Sequence, residues 1–369
     1  MKRAAAAAIS LMTGLAMLTG CSRAEVEETI QPLVADAIEE SDSEAEAVKE
    51  EDESPLIPEI DTDIKIHAGS RIAVVSKCVK GEYWKMVKKG MEDAVKEINK
   101  AYGYKKDDQI TMTFEGPDNE EDVETQINTI DAVIAENPDV LCISASDMDS
   151  CEAQLEAAKE NGIPVIAFDS NVAEKKLVKA YRGTDNVQVG KMAAYQLGSA
   201  LGKMGKVAVF SAQQKTKSVQ DRVEGFMNNI GKYGDIEVVE TIYSDQVDDM
   251  EASMKEVLEK YPTLDGVFST NADITEMYLN LEKSDEHDAP ALVGVDATTK
   301  QQEAIRNGEE IGCVSQQPYA MGYQTIWAAV ETTAPKKSVV IEKNVLSNPA
   351  WIDADCLDDP DYSGYLYTE

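Results

Sequence analysis

The stretch Arg71-Ile-Ala-Val-Val-Ser76, followed by an amphipathic pattern from Tyr83 to Tyr102, decides the fold of this chain. A short run rich in β-branched residues is typical of a strand buried on both faces, and the apolar spacing after it is that of a helix. The same alternation repeats to about residue 316. Strands that alternate with helices of this length predict βαβ units and parallel sheets.

The repeats fall into two series. Strands are predicted at 71–76, 110–114, 140–144 and 165–168 in the first series, and at 206–210, 236–243, 266–269, 292–295 and 313–316 in the second. Helices are predicted at 83–102, 120–137, 187–201, 219–230, 250–261, 273–283 and 300–306. One further helix, between the third and fourth strands, is predicted to end at residue 159. The expected fold class is α/β, with two doubly wound parallel-sheet lobes joined by a three-segment hinge, crossed near 183–186, 316–319 and 345–349.

The N-terminal segment has the pattern of a bacterial lipoprotein signal. Lys2 and Arg3 precede an apolar run too short to span a bilayer, and Leu18-Thr-Gly-Cys21 resembles the lipobox, whose cysteine receives a diacylglycerol. An ordinary cleaved signal with a coincidental cysteine is the alternative. The protein is therefore expected outside the cytoplasm, at the bacterial cell surface or in the periplasm, held to the membrane by its lipid anchor.

The domain organisation follows from this segment and from the hinge. Residues 1–20 are the predicted signal peptide, and residues 21–68 a predicted disordered tether. From Ser22 to Asp63, acidic residues far outnumber the two basic ones, Arg23 and Lys49. The N-terminal lobe is expected to comprise residues 69–184 plus 318–345, and the C-terminal lobe residues 185–317 plus 346–369.

Composition excludes several partners and cofactors. A formal net charge of -34 argues against nucleic acid, because duplex binding depends on neutralising phosphates with Lys and Arg. The closest phosphate-loop lookalike, Gly183 to Lys191, has too long a glycine spacing and lacks the Ser or Thr that would hold magnesium. No cofactor and no metal site is expected. Beyond the lipobox the chain has five cysteines: Cys78, Cys142, Cys151, Cys313 and Cys356. Because this number is odd, at least one of them has no intramolecular disulfide partner.

Polar side chains follow the predicted strands at the points where they end. Carboxylates and amides at the carboxyl ends of two parallel sheets can converge on one cleft, and such side chains hydrogen-bond the hydroxyls of a polyhydroxylated ligand. An aromatic face can cover the apolar side of a sugar ring. The residues concerned are Tyr83, Trp84, Ser144, Asp147, Asp169, Ser170, Asn171, Asn271, Asp273, Asp296 and Gln316.

From about Ile72 to Thr333 the chain resembles the ribose-type, type I periplasmic sugar-binding proteins of bacterial ABC importers. The resemblance rests on the order and spacing of Thr184-Asp-Asn-Val-x-x-Gly190-Lys191, Arg222-Val-Glu-Gly-Phe226, Val267-Phe-Ser-Thr-Asn271, Val293-Gly-Val-Asp296, and Gln316-x-Pro318 followed by Gly322. It implies that the hydrogen-bonding ligand set is Asp169, Arg222, Asn271, Asp296 and Gln316, with Tyr83 and Trp84 where the family places ring-stacking aromatics. It also implies a monomer that captures a monosaccharide-like ligand between its lobes and delivers it to ABC permease subunits.

Three positions depart from the ribose pattern. Ser170 stands where the family has an arginine after the first-lobe aspartate, and Gly81 and Ser144 stand where it has asparagines. These changes argue against ribose itself and leave a small polar ring ligand.

Each candidate also has a structural interpretation. Asp169, Asn271 and Asp296 could be helix N-caps, and Gln316 could only bridge the lobes at the hinge. Arg222 could lie on a solvated helix face, and Tyr83 and Trp84 could be core residues.

Three other functions compete with solute binding. An enzyme lacks a base, because the only histidines, His67 and His287, do not follow strands. A repressor that shares this two-lobed body would need a DNA-binding segment where the signal and tether stand. A ligand-sensing receptor that reports to a membrane kinase or chemoreceptor uses the same closure and stays an alternative.

Overall fold

The computed structural model describes residues 57–281, 289–335 and 338–368. The predicted signal, Cys21 and most of the predicted tether lie outside the described residues, as does His287. In the part of the chain that is described, no helix is long and apolar enough to cross a bilayer.

The helices and strands alternate as the sequence predicts. In chain order they are β1 (Arg71–Val75), α1 (Gly81–Tyr102), β2 (Thr111–Glu115), α2 (Val123–Ala135), β3 (Val140–Ile143), α3 (Glu152–Glu160), β4 (Val165–Phe168), β5 (Ala180–Thr184), α4 (Asn186–Ala200), β6 (Met204–Ser211), α5 (Lys217–Ile230), β7 (Asp235–Tyr243), α6 (Met250–Lys260), β8 (Gly266–Ser269), α7 (Ala272–Leu279), β9 (Ala291–Val295), α8 (Thr299–Asn307), β10 (Gly312–Ser315), α9 (Pro318–Glu331), β11 (Asn344–Ser347) and β12 (Ala350–Ile352).

Each lobe is a twisted sheet covered by helices on both faces. The first lobe has the strand order β11-β5-β4-β3-β1-β2, all parallel, with α1 and α9 on one face and α2 and α3 on the other. The second has the order β12-β10-β9-β8-β6-β7, with α4 and α5 on one face and α6 and α7 on the other. Only β12 runs antiparallel to its neighbour. Central strands are buried along nearly their whole length because helices cover both faces. The expected α/β fold with two lobes is confirmed.

The chain passes between the lobes three times. It leaves the first sheet after β5, returns between β10 and α9, and leaves again between β11 and β12. The third crossing lies at residues 348–349, because β11 continues the first sheet to Ser347, which pairs with Thr184. The predicted lobe boundary after residue 345 falls inside this strand.

Three strands have no counterpart in the sequence prediction. β5 reads Ala-Tyr-Arg-Gly-Thr and carries no run of β-branched residues, while β11 and β12 are short edge strands. Their pairing with neighbouring strands of the sheets determines them, since their local composition does not favour a strand.

Glycines bring two helices of the second lobe into close contact. A Cβ atom on Gly190 would lie 1.9 Å from the carbonyl oxygen of Arg222, and one on Gly225 would lie 2.1 Å from that of Val187. The backbones of helices α4 and α5 are therefore in close contact where the helices cross. This contact holds Arg222 beside the first turn of α4. These are the glycines of two motifs on which the family resemblance rests.

Candidate functional site

A cleft of about 370 Å³ lies between the lobes, at the carboxyl ends of the parallel strands. Seven of the eight predicted ligand-binding residues line it: Tyr83, Trp84, Asp169, Arg222, Asn271, Asp296 and Gln316. A larger cavity of about 570 Å³ lies elsewhere in the second lobe, beside α7, β9 and the end of α8, and none of the predicted residues lines it. The predicted set therefore converges on the cavity between the lobes.

Asp169 follows β4 in a left-handed backbone conformation, with φ of 54°. Its Oδ1 accepts a hydrogen bond from the Tyr83 hydroxyl at 2.7 Å, and its Oδ2 accepts from Ser144 at 2.7 Å and from Ser170 at 3.1 Å. Burial opposes ionisation, but Lys77 and these donors outweigh it and lower the pKa of Asp169. No helix begins directly after Asp169, so the N-cap interpretation does not apply.

Ser144 belongs to the support of the site. Its side chain is fully buried and does not line the cleft. Its hydroxyl donates to Asp169, and its backbone oxygen accepts from the amide of Gln126 at 2.8 Å. Ser144 therefore orients Asp169 from behind.

Lys77 is a cleft residue that the sequence reasoning missed. Its Nζ lies 3.0 Å from Asp169 Oδ2, 3.6 Å from Glu120 Oε2 and 5.7 Å from the centre of the Trp84 ring. Its side chain is only 6% exposed. Desolvation lowers the pKa of Lys77, but the two carboxylates raise it by more, so the net pKa is above its usual value. The sequence feature that could have identified it is its position, because Lys77 directly follows the first strand and Ser76.

The aromatic pair at the start of α1 is buried on its first-lobe side. Trp84 donates from Nε1 to Glu120 Oε1 at 2.8 Å, and its ring meets Tyr83 edge to face with centres 5.1 Å apart. Both rings belong to the hydrophobic core of the first lobe and also line the cleft. Tyr83 and Trp84 are therefore core residues of the first lobe and lining residues of the cleft at the same time.

Asp296 occupies the matching position in the second lobe, after β9 and with φ of 79°. Its Oδ1 accepts from Gln316 Nε2 at 2.7 Å and from the Tyr367 hydroxyl at 2.9 Å. Its Oδ2 accepts from the backbone nitrogen of Ala272 at 3.0 Å. The cap of α8 is Thr298, so Asp296 instead ties the start of α7 to the hinge.

Tyr367, in the C-terminal segment, was also missed by the sequence reasoning. It is nearly fully buried, and its ring centre lies 5.9 Å from that of Tyr83. The backbone nitrogen of Tyr367 donates to the Ala297 oxygen at 3.0 Å. The C-terminal segment thus contacts Asp296 and Tyr83, two cleft residues from different lobes, and no local sequence pattern predicts these contacts.

Arg222 is 3% exposed, so the interpretation of a solvated helix face is wrong. Its Nε donates to Asn186 Oδ1 at 2.8 Å, and its Nη1 donates to the Thr270 oxygen at 2.7 Å. These bonds hold the guanidinium at the cleft. Asn271 caps α7 by accepting from the Ile274 nitrogen at 3.1 Å, and it also lines the cleft.

The lobes touch directly along the cleft. The Ser170 and Ser218 hydroxyls are 2.7 Å apart, and the Thr299 nitrogen donates to Glu82 Oε2 at 2.8 Å. The side-chain amide nitrogen of Gln213 donates to the backbone oxygen of Glu120 at 2.8 Å. These bonds describe a closed arrangement of the two lobes.

The five described cysteines, including Cys78 at the cleft, are buried and unpaired. Burial raises the pKa of the Cys78 thiol, which disfavours a reactive thiolate. In residues 57–281, 289–335 and 338–368 no cluster of His, Cys, Asp and Glu could hold a metal ion.

Comparison with known proteins gives a coherent group. A protein-family model described as a periplasmic binding protein domain matches residues 72–337. The ribose import binding protein of Bacillus subtilis (strain 168) is 26% identical over 220 residues, which are 60% of this chain and 71% of that protein. A xylitol-binding protein of Mycolicibacterium smegmatis is 25% identical over 57% of this chain and 60% of its own length.

Solved structures share the fold. An ABC transporter solute-binding protein of Agrobacterium vitis with bound D-fucose has a TM-score of 0.73 and 26% identity, covering 81% of this chain and all of that protein (100%). Another from the same organism, bound to α-D-tagatopyranose, has a TM-score of 0.74 at 24% identity, covering 81% of this chain and 100% of that protein.

Proposed function

The chain belongs to the periplasmic binding protein domain family, and from that premise we propose that it captures a monosaccharide or similar small polyhydroxylated ligand between its lobes and delivers it to an ABC importer. The relatives are named for ribose import and xylitol binding, and related structures carry fucose and tagatose. The protein acts by binding and release, without catalysis.

The observation that carries this proposal is the convergence of polar side chains from both lobes on one cleft. Asp169 and Trp84 come from the first lobe, and Arg222, Asn271 and Asp296 come from the second. A ligand that touches both lobes stabilises the closed state, because its binding free energy is available only when they meet.

The charge of the lining favours a neutral ligand. Carboxylates outnumber cations along the cleft, and the cations Lys77 and Lys80 are each paired with a carboxylate. A phosphorylated ligand would meet this excess of negative charge. Hydroxyl groups suit it better, because they can both donate and accept hydrogen bonds.

The N-terminal sequence supports a place for this activity. The lipobox at Cys21 supports a lipoprotein held outside the cytoplasm by its acyl chains, with the acidic tether between membrane and lobes. The closed cleft within one chain supports a monomer as the binding unit. The anchor is tested by membrane fractionation of the full-length protein and of a Cys21→Ala variant. If the proposal is right, only the variant is released from the membrane fraction.

Calorimetry tests the binding function. We expect one or more of D-ribose, D-allose, D-fucose, D-tagatose and xylitol to bind, and micromolar affinity would correspond to about -8.2 kcal/mol. Asp296→Asn should weaken binding by at least about tenfold, because it weakens the hydrogen bonds from Gln316 and Tyr367 that hold this side chain at the cleft.

Asp235→Asn is the matched control, since Asp235 is exposed at the start of β7. Equal affinities for the wild type and the Asp296→Asn variant, or no response to any polyhydroxylated compound, would contradict the proposal.

A further inference from the structure

We propose that the C-terminal segment, residues 353–368, is a brace on the hinge: it moves with the second lobe and holds the closed arrangement by packing Tyr367 into the core of the first lobe. The inference rests on the proposed function and adds a device that stabilises its closed, ligand-holding state. Tyr367 does not line the cleft. It is therefore a positioning residue, which acts on the two lobes and not on the ligand.

The body of the segment is attached to the second lobe. Tyr362 and Leu366 pack against a hydrophobic cluster that includes Ile305 of α8. Arg306, on the same helix, donates two hydrogen bonds to the carboxylate of Asp358, at 2.9 and 3.2 Å. The segment therefore moves with the second lobe when the lobes separate.

The segment also runs along the hinge. The Ser315 hydroxyl donates to the backbone oxygen of Tyr365 at 2.5 Å, and the Tyr365 hydroxyl donates to the backbone oxygen of Asn348 at 3.3 Å. Ser315 directly precedes the second crossing between the lobes, and Asn348 lies in the third. Tyr365 therefore links two of the three crossings.

Tyr367 is the residue at which the segment meets the first lobe. Its backbone is held by the second lobe, because its nitrogen donates to the Ala297 oxygen at 3.0 Å and its oxygen accepts from the Gln302 amide at 2.8 Å. Its side chain is 1% exposed and belongs to the hydrophobic core of the first lobe, with its ring centre 5.9 Å from that of Tyr83. The main chain of Tyr367 thus belongs to one lobe and its ring to the other.

Separating the lobes would break the ring contact first. Dispersion attraction falls steeply with distance, so that a gap of about 1 Å already forfeits up to about half of a contact. Water would also reach a ring that is now buried. The hydroxyl of Tyr367 would keep its hydrogen bond, because its acceptor, Asp296, lies on the second lobe. The ring, and not the hydroxyl, therefore favours the closed arrangement.

A purely local role explains this arrangement less well. A tyrosine that only anchored the segment would pack within the second-lobe cluster, as Tyr362 does. Tyr367 instead enters the hydrophobic core on the other side of the hinge. A side chain shared in this way stabilises one relative position of the two lobes, because its contacts are complete only there.

X-ray scattering of the ligand-free protein tests the brace without a ligand. Tyr367→Ala should increase the radius of gyration, because the lobes lose a contact that only the closed arrangement makes. Tyr367→Phe keeps the ring and should scatter like the wild type. Tyr362→Ala is the matched control, since it removes a tyrosine of the same segment from the second-lobe cluster, and it should also scatter like the wild type.

Stopped-flow measurement of ligand release tests the same contact in the bound state. The ligands are those among D-ribose, D-allose, D-fucose, D-tagatose and xylitol that bind the wild type. Tyr367→Ala should release each of them about 10- to 100-fold faster, the range expected for losing the burial of a large apolar side chain. Association rates should stay within about threefold, because ligand enters the open arrangement, in which the ring has already left the first lobe.

The release factor separates a brace from a ligand contact. Because the ring acts on the lobes, the factor should be the same for every ligand, and Tyr362→Ala should leave all release rates as in the wild type. A factor that differs widely among the ligands would make Tyr367 a ligand contact and overturn its positioning role. Equal scattering and equal release rates for Tyr367→Ala and Tyr362→Ala would overturn the brace itself.

Two further outcomes are decided by the same design. If Tyr367→Ala fails to fold, Tyr367→Leu takes its place, because leucine keeps apolar volume in the core but lacks the ring. The brace then requires the same expansion and a release factor of at least about threefold. A wild type that binds none of the compounds overturns the proposed function, whereas the scattering of the ligand-free variants still decides the brace.

Discussion

At the scale of single residues, Asp169 and Asp296 form a pair. Each follows a central strand of its own sheet, each has a positive φ, and each accepts hydrogen bonds from a tyrosine. Aspartate tolerates the left-handed region better than most residues. The unusual backbone turns each carboxylate back over the end of its sheet, where it can orient neighbouring donors.

Glu310 is a buried carboxyl residue that lies outside the cleft. It is 1% exposed, its Oε1 accepts from Gln301 at 3.3 Å, and its Oε2 has no hydrogen-bond partner. Burial raises the pKa of Glu310 to about 8, although the Gln301 hydrogen bond opposes the rise. In the unfolded chain a glutamic acid titrates near its ordinary value of about 4.3.

We expect this residue to make stability fall with rising pH. Between about pH 4.5 and the folded pKa of about 8 the folded state holds a proton that the unfolded state has lost, so each pH unit removes up to about 1.4 kcal/mol of unfolding free energy. Urea unfolding at pH 5 to 8 should therefore show a shallower decline for Glu310→Gln than for the wild type. Glu309→Gln, at an exposed neighbour, is the control, and identical slopes for Glu310→Gln and the wild type would refute the assignment.

At the scale of elements, the crossing of α4 and α5 fixes part of the site. The crossing depends on Gly190 and Gly225, and α5 carries Arg222 one turn before Gly225. A side chain at the crossing therefore both separates two helices and moves a guanidinium that lines the cleft.

Gly225→Ala should destabilise the protein by about 2–3 kcal/mol, although alanine normally favours a helix. Its Cβ would lie 2.1 Å from the Val187 carbonyl oxygen, and a backbone atom cannot turn aside as a side chain can. Thermal or urea unfolding measures the change, and ligand affinity should fall with it. Gly234→Ala, whose Cβ meets nothing within 4 Å, should change little. Equal stability of the two variants would exclude the close crossing as a constraint.

At the scale of the whole molecule, bonds between the lobes favour closure. The Thr299 nitrogen donates to Glu82 at the start of α1, and Ser170 meets Ser218 across the cleft. Contacts of this kind shift the equilibrium between open and closed lobes before any ligand is bound.

Removing one of these contacts should open the ligand-free protein. Glu82→Ala deletes the acceptor of the Thr299 bond, so the radius of gyration measured by X-ray scattering should increase and then return toward the closed value with saturating sugar. Affinity should fall about 2- to 10-fold, the range expected for one net hydrogen bond. Glu92→Ala, on the same helix but outside the cleft, should scatter like the wild type. A Glu82→Ala curve indistinguishable from the wild type without ligand would contradict the role of this contact.

The sequence alone determined the two-lobed α/β fold, because apolar periodicity reports which segments are buried on one or both faces. It also identified seven residues that line the cleft, since the carboxyl ends of parallel strands meet at one edge and Asp169, Asn271 and Asp296 follow such ends. Strands β5, β11 and β12 escaped prediction, because their partners in the sheets, and not their composition, make them strands.

Only the tertiary structure decided which side chains line the cleft and which lie behind them. Ser144 lies behind Asp169, Tyr367 arrives from the far end of the chain, and Lys77 turns inward to pair with Asp169. Each role depends on distances between residues far apart in sequence, which folding fixes by packing and by the pairing of buried charges. Local pattern places a residue at the end of a strand, but the direction of its side chain is set by neighbours that the chain brings there only when folded.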